Sequence, residues 1–141
     1  LRLVLPAELQ QLLVGETKAA LPHECCGLLI GAHASDCIEV SDIAISDNLA
    51  DDRSQSFEID MRLRLRFQKE LRGTSKSVIG HYHSHPNGRV GLSGTDKAQA
   101  WEDQMVWLVI AAGEETFTLS ADLYDAAAQT FQSLVIAAEQ G

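Results

Sequence analysis

SVIGHYHSHPNGRVGLSGTD, residues 77–96, is the stretch on which the reading of this chain turns. Residues 77–85 read as a strand, which Pro86 ends. Gly88 to Gly91 form a loop, and Ser93 is placed to cap a helix running to about Asp103. Alternate side chains on a strand share one face, so His81, His83 and His85 project together, neighbours about 6–7 Å apart. Two imidazoles so spaced can converge on one ion. Zinc takes His nitrogens at about 2.0–2.1 Å, and catalytic sites use three protein ligands and leave one position open. Asp96 is the candidate third ligand, because the glycine-containing loop lets the chain reverse and set the first helical turn beside the strand end. Each part alone has a plainer reading: a polar strand edge for the histidines, a capping box for Ser-x-x-Asp. Together they favour a metal site.

Outward from this stretch the chain reads as one domain over 1–141, without repeats, low-complexity tracts or linkers. LRLVL alternates and then meets Pro6, which suits a first helical turn. Leu9, Leu12, Leu13 and Ala20 follow at helical spacing, giving an amphipathic helix over about 6–20 that Pro22 ends. CCGLLIGA and CIEVSDIAI read as two strands joined by a short turn, and the polar 46–56 segment as a mobile loop. MRLRLRF alternates like a strand. Asp60 is nevertheless a good N-cap, and Leu63, Phe67 and Leu71 lie four apart, so a helix over 60–72 is preferred. VWLVIAA, FTLSADLYD and FQSLVIAA read as closing strands. The mixed order predicts an α+β fold, a curved mixed sheet flanked by helices in an α/β/α sandwich.

A chain of 141 residues supports one substantial core, and no apolar run reaches the ~20 residues of a membrane span. The net charge of −9 repels phosphate backbones, so neither nucleic acid nor membrane is an expected partner. Arg62, Arg64, Arg66, Lys69 and Arg72 hold five of the eleven basic residues. They read first as a solvated face and second as a dock for an acidic protein. Cys25, Cys26 and Cys37 have no metal-ligand spacing and make a poor disulfide set, so buried thiols in a reducing cytoplasm are expected. The first residues also lack the charged, apolar, small-residue order of a secretory leader.

His83-Ser84-His85-Pro86, six further residues, and Ser93-Gly94-Thr95-Asp96 resemble the signature of the JAMM (MPN-plus) zinc metallopeptidases. That family also needs an upstream glutamate at the start of the strand after the first helix, and PHECCGLLIG offers Glu24. FEID before a helix and VWLVIAA after the metal motif are similar to the small bacterial branch, so the likeness runs through nearly the whole chain. The resemblance implies the MPN fold, related to cytidine deaminases, and one Zn2+ per chain on His83, His85 and Asp96. It implies Glu24 as the base that takes a proton from the attacking water and delivers it to the leaving amine. It implies Ser93 as a donor to the oxyanion. His81 is then a supporting or core polar residue and His23 a surface one. By composition alone Glu58 rivals Glu24 as base; the resemblance ranks it second.

The implied reaction is peptide or isopeptide hydrolysis after the Gly-Gly tail of a ubiquitin-like or sulfur-carrier protein. The chain is short where larger relatives carry insertions, around 47–56 and at AGEE (112–115). This favours tail trimming over attack on a large folded conjugate, unless a partner or a homodimer adds surface. Two other readings stay open: a metal-free MPN scaffold, and a zinc amidase acting on an unrelated small substrate. The H-x-E and P-C-x-x-C patterns of nucleoside deaminases are absent.

Overall fold

The computed structural model describes residues 1–139, so the last two positions of the expected domain lie outside it. The elements run β1 (Arg2–Val4), α1 (Ala7–Ala20), β2 (Cys26–His33), β3 (Cys37–Ser46), α2 (Met61–Glu70), β4 (Ser77–His85), α3 (Gly94–Ala98), β5 (Val106–Ala112), β6 (Phe117–Asp125) and β7 (Thr130–Ala137).

The strands close into a barrel in the order β1-β3-β2-β4-β5-β6-β7, not the open curved sheet of an α/β/α sandwich that the sequence led us to expect. Closure falls to three residues. Arg2, Leu3 and Val4 pair in parallel with Cys37, Ile38 and Glu39 on one side and with Val135, Ile136 and Ala137 on the other. So short a strand, paired across most of the chain length, leaves only the brief alternation LRLVL as a local trace. Leu3 and Leu5 are fully buried.

One apolar cluster draws on all seven strands and on α1. It contains Leu3, Leu13, Leu29, Ile38, Tyr82, Leu108, Ile110, Leu123 and Leu134. A second joins Leu28, Ile30 and Ala44 of the opposite face to Ile59, Leu63, Phe67, Leu71 and Val78. This second cluster decides the ambiguous MRLRLRF segment. A helix sets Leu63, Phe67 and Leu71 on one stripe against β2, and Asp60 caps it by accepting from the Arg62 amide at 3.0 Å.

The two clusters meet at an irregularity in β4. Leu29 pairs with Gly80 but Ile30 with Val78, so the ladder skips Ile79. Ile79 and Tyr82 then both reach the inner cluster, and His81, His83 and His85 point to the α2 side.

α3 is shorter than expected. Gln99 ends it, and Gln104 takes a left-handed φ of 60°. The Gln104 amide already donates to the Tyr124 carbonyl at 2.8 Å, and the Tyr124 amide to the Met105 carbonyl at 3.1 Å. This stretch therefore starts the β5–β6 ladder.

All three cysteines are buried thiols, and burial pushes Cys25 up to about 11 and Cys26 up to about 12, which leaves both unreactive. The basic run on α2 is partly paired within the chain, through Arg62–Asp60, Arg64–Glu102 and Arg66–Glu70. No helix among the described residues is long and apolar enough to cross a membrane.

Closure by packing rather than by pairing alone makes a prediction. Leu3→Ala should cost about 2–5 kcal/mol in denaturant unfolding. Val135→Ala, on the same ladder but 66% exposed, should cost less than about 1 kcal/mol. Equal costs would refute the assignment of β1 as the packed closing strand.

Candidate metal centre

His83 and His85 leave β4 on one face, and α3 brings Asp96 against them. His83 Nε2, His85 Nε2 and Asp96 Oδ2 form a triangle with all three sides 3.1 Å. Edges of a tetrahedron with bonds of about 2.0 Å measure about 3.3 Å, so the three atoms already stand near three of its corners. All three residues are buried, and they form the group that could hold a metal ion among the described residues. The donor set, two neutral-capable imidazoles and a carboxylate, suits zinc.

Each ligand is oriented from behind. His85 Nδ1 lies 2.9 Å from the Arg89 carbonyl, which favours a proton on Nδ1 and leaves Nε2 for the metal. Asp96 Oδ2 accepts from the Ser93 amide at 2.9 Å, and the Asp96 amide donates to Ser93 Oγ at 3.0 Å. The capping box that would have explained Ser-x-x-Asp without a metal is therefore present, and it aims the carboxylate at the histidines. The His83 ring stacks on Phe57, centroids 4.1 Å apart and planes 14° from parallel.

Charge follows this geometry. Burial lowers His83, so that ring is neutral. Burial also acts to lower His85, but its hydrogen bonds to Asp96 and the Arg89 carbonyl prevail and raise it. Burial acts to raise Asp96, and the hydrogen bonds from both imidazoles hold it far below the usual carboxylate range.

Glu24 precedes β2. Cys26 pairs with His83, Ser84 N donates to the Cys25 carbonyl at 3.0 Å, and Cys25 N donates to Ser84 Oγ at 2.9 Å. One step further along this ladder Glu24 stands across from His85, on the face that carries the histidines. It is buried, and burial pushes its carboxyl up to about 7, with His85 opposing and Asp96 and Asp52 adding to the rise.

Two further residues position this carboxylate, Ser84 inside the histidine motif and Asn48, which no motif marks. Ser84 anchors residue 25 from inside the His-Ser-His run. Asn48 uses its whole amide, donating to the Glu24 and Ser56 carbonyls and accepting from the Ala50 and Glu58 amides, each at 3.0 Å. The segment expected to be a mobile loop is thus tied to the site through a side chain with no spare hydrogen-bonding capacity.

The remaining candidates fall elsewhere. His23 is exposed. Glu58 is exposed and lines a separate cleft with Phe57 and Trp107. His81 packs edge-on against Trp107 with centroids 4.3 Å apart, and burial lowers it to about 3, so it is neutral. It stands outside the ligand triangle.

Two predictions test the centre. Asp96→Asn should lower metal affinity by at least about 100-fold while far-ultraviolet circular dichroism stays unchanged, since the loss of even an outer partner costs about 10–100-fold. Unchanged metal content would remove Asp96 from the ligand set. Glu24 supplies a pH signature in metal-free protein. Its folded value of about 7 exceeds the unfolded 4.5, so the fold binds the extra proton and loses stability as pH rises from 4.5 through 7. Glu24→Gln should therefore gain thermal stability over the parent at pH 8 and none at pH 4. An equal gain at both would show that Glu24 is not strained by burial.

Known proteins share this fold. Among solved structures, the protein DSY2949 from Desulfitobacterium hafniense superposes with a TM-score of 0.83 at 24% identity, over 99% of this chain and 94% of that one. A protein from Salinibacter ruber gives a TM-score of 0.66 at 20% identity, over 100% and 94%. At these identities the likeness is one of fold alone. No curated protein matches. The family model for prokaryotic homologs of the JAB domain matches residues 6–130, which takes in Glu24, the histidine strand and Asp96, and the chain belongs to that family.

Proposed function

We propose that this protein is a zinc-dependent peptidase that hydrolyses the amide bond following the Gly-Gly tail of a ubiquitin-like or sulfur-carrier protein. The observation that carries the reading is the buried His83–His85–Asp96 triangle with Glu24 across the ladder from His85. A scaffold has no need of a buried carboxylate raised to about 7 beside three converging ligand atoms.

Hydrolysis breaks the carbonyl carbon–nitrogen bond, leaving hydroxyl on the carbon and a proton on the amine. A zinc ion held by the three ligands supplies Lewis acidity toward water and toward the scissile carbonyl. The chain's own residues move the protons. The Glu24 carboxylate accepts one from the attacking water and returns it to the departing nitrogen, for which a value near neutrality suits both directions. A bound cation draws that value down and so favours the accepting form. Ser93 Oγ accepts from the Asp96 amide, so its own hydrogen is free to be donated to the oxygen that gains charge.

A diglycine tail fits the enclosed setting, since a strand without side chains lets its backbone approach closely. The loop pinned by Asn48 and the tight turn between β5 and β6 provide little surface for gripping a large folded conjugate. This supports trimming of a tail.

The test is intact-mass analysis of a ubiquitin-like carrier extended past Gly-Gly, incubated with zinc-loaded protein. Product ending at Gly-Gly is expected from the parent. Glu24→Ala should lose at least about 100-fold in rate while keeping its metal. Ser93→Ala should lose a comparable factor with the fold intact. Full activity in Glu24→Ala would reject it as the base, and unfolding of Ser93→Ala would reduce Ser93 to a helix cap.

A further inference from the structure

Beside the His83 ring lies a cleft of about 230 Å³ lined by Phe57, Glu58, Arg64, His81, Trp101 and Trp107, among others. It shares a wall with the centre, because Phe57 stacks on His83 and Trp107 stands edge-on to the same ring at 6.3 Å. Whole-ligand pockets span roughly 300–1,000 Å³, so this one suits a single side chain. Trp101 is 75% exposed at its edge, an uncommon position for the largest apolar side chain.

Two polar atoms in the lining are unsatisfied. Arg64 Nε and His81 Nδ1 are both buried and have no hydrogen-bond partner among the described residues. Neither atom has accessible surface, so a ligand in the cleft meets the aromatic faces and not these two groups. The Arg64 guanidinium is already neutralised by Glu102, which also lines the cleft. Glu58 adds a carboxylate only at the exposed edge, so a charged group seated deeper in the cleft would be desolvated without a counter-charge. Flat aromatic walls over a guanidinium already paired with Glu102 suit an uncharged aromatic side chain.

We infer that this cleft is a specificity subsite for an uncharged aromatic side chain on the leaving side of the scissile bond. The inference rests on the peptidase reading. On the acyl side two glycines offer no side chain, so any side chain recognised beside the centre belongs to the residue that departs.

The experiment compares carriers ending in Gly-Gly-Phe, Gly-Gly-Ala and Gly-Gly-Lys. In the parent, kcat/KM for Phe should exceed that for Ala by at least about tenfold, and Lys should gain nothing over Ala. In Trp101→Ala the Phe/Ala ratio should fall to within about twofold of one, and Trp101→Phe should restore most of it. Because each ratio is taken within one variant, loss of metal or fold cancels. Equal rates for Phe and Ala in the parent, or a ratio unchanged in Trp101→Ala, would overturn the inference.

A second readout needs no catalysis. Both tryptophans of the chain line the cleft. Millimolar N-acetyl-phenylalanine amide should therefore change the intrinsic fluorescence where N-acetyl-alanine amide does not. If no carrier is cleaved and this difference persists, the aromatic subsite stands and the peptidase reading falls. Equal responses to the two amides overturn the subsite itself.

Discussion

β4 is hydrogen-bonded along both flanks, antiparallel to β2 and parallel to β5, so its backbone groups are consumed and each side chain is committed to one face. The skipped residue Ile79 sets the phase. From Gly80 onward the even positions turn inward, where Tyr82 is fully buried and bonded to Glu16 of α1, and the odd positions carry the histidines outward. A slip of one residue would exchange the two sets, leaving imidazoles in the apolar interior and the tyrosine outside. Gly80 guards the register too, because a Cβ there would run into the backbone of Val106 on β5. The centre is thus a by-product of how tightly this strand is gripped. The two histidine ligands inherit their positions from the barrel ladder, and the capping box of α3 aims Asp96 at them.

The same strand also places the carboxylate opposite. Ser84 points away from the metal face, yet it bonds the residue after Glu24 and so fixes the start of β2. Asn48 then ties the carbonyl of Glu24 to the 48–58 segment, whose Phe57 lies against His83. These bonds are buried or half-buried, and losing one partner would strand the others. A chain of hydrogen bonds and one ring stack therefore connects Glu24, its clamp, the loop and a ligand.

Where the sequence was legible, local physics sufficed. The period-2 histidines, Pro86, the Ser93 cap and the Asp60 cap each act within a few residues, and the structure shows the corresponding strand end and helix starts. The MRLRLRF segment was decided by its partner stripe, which sequence periodicity only half reveals. Barrel closure was not legible because Leu3 meets Ile38 and Ile136 through pairings that no local pattern encodes. The early end of α3 was missed because Gln99 closes it with no glycine or proline to mark the stop. Asn48 looked like one more polar residue in a turn-rich run; only the folded chain shows that all its hydrogen-bonding groups are used.

Charge explains why such a site can be buried both without and with a dication. Without one, Asp96 is ionised, His85 is raised toward the protonated form, His83 is neutral, and Glu24 at about 7 is largely protonated at mildly acidic pH. A protonated His85 would bring the formal sum to zero. With a dication both imidazoles must be neutral to ligate, Asp96 stays ionised and Glu24 is drawn to its ionised form, so the sum is again zero. Uptake of the ion exchanges protons for metal at nearly constant buried charge, which avoids the several kcal/mol per uncompensated ion that burial would otherwise exact. The hydrogen bonds to the Arg89 carbonyl and from the Ser93 amide use atoms or lone pairs that ligation can leave in place. The ligands therefore need to give up little beyond their contacts with one another, and the preorganised triangle follows from the same balance that keeps the metal-free site from flying apart.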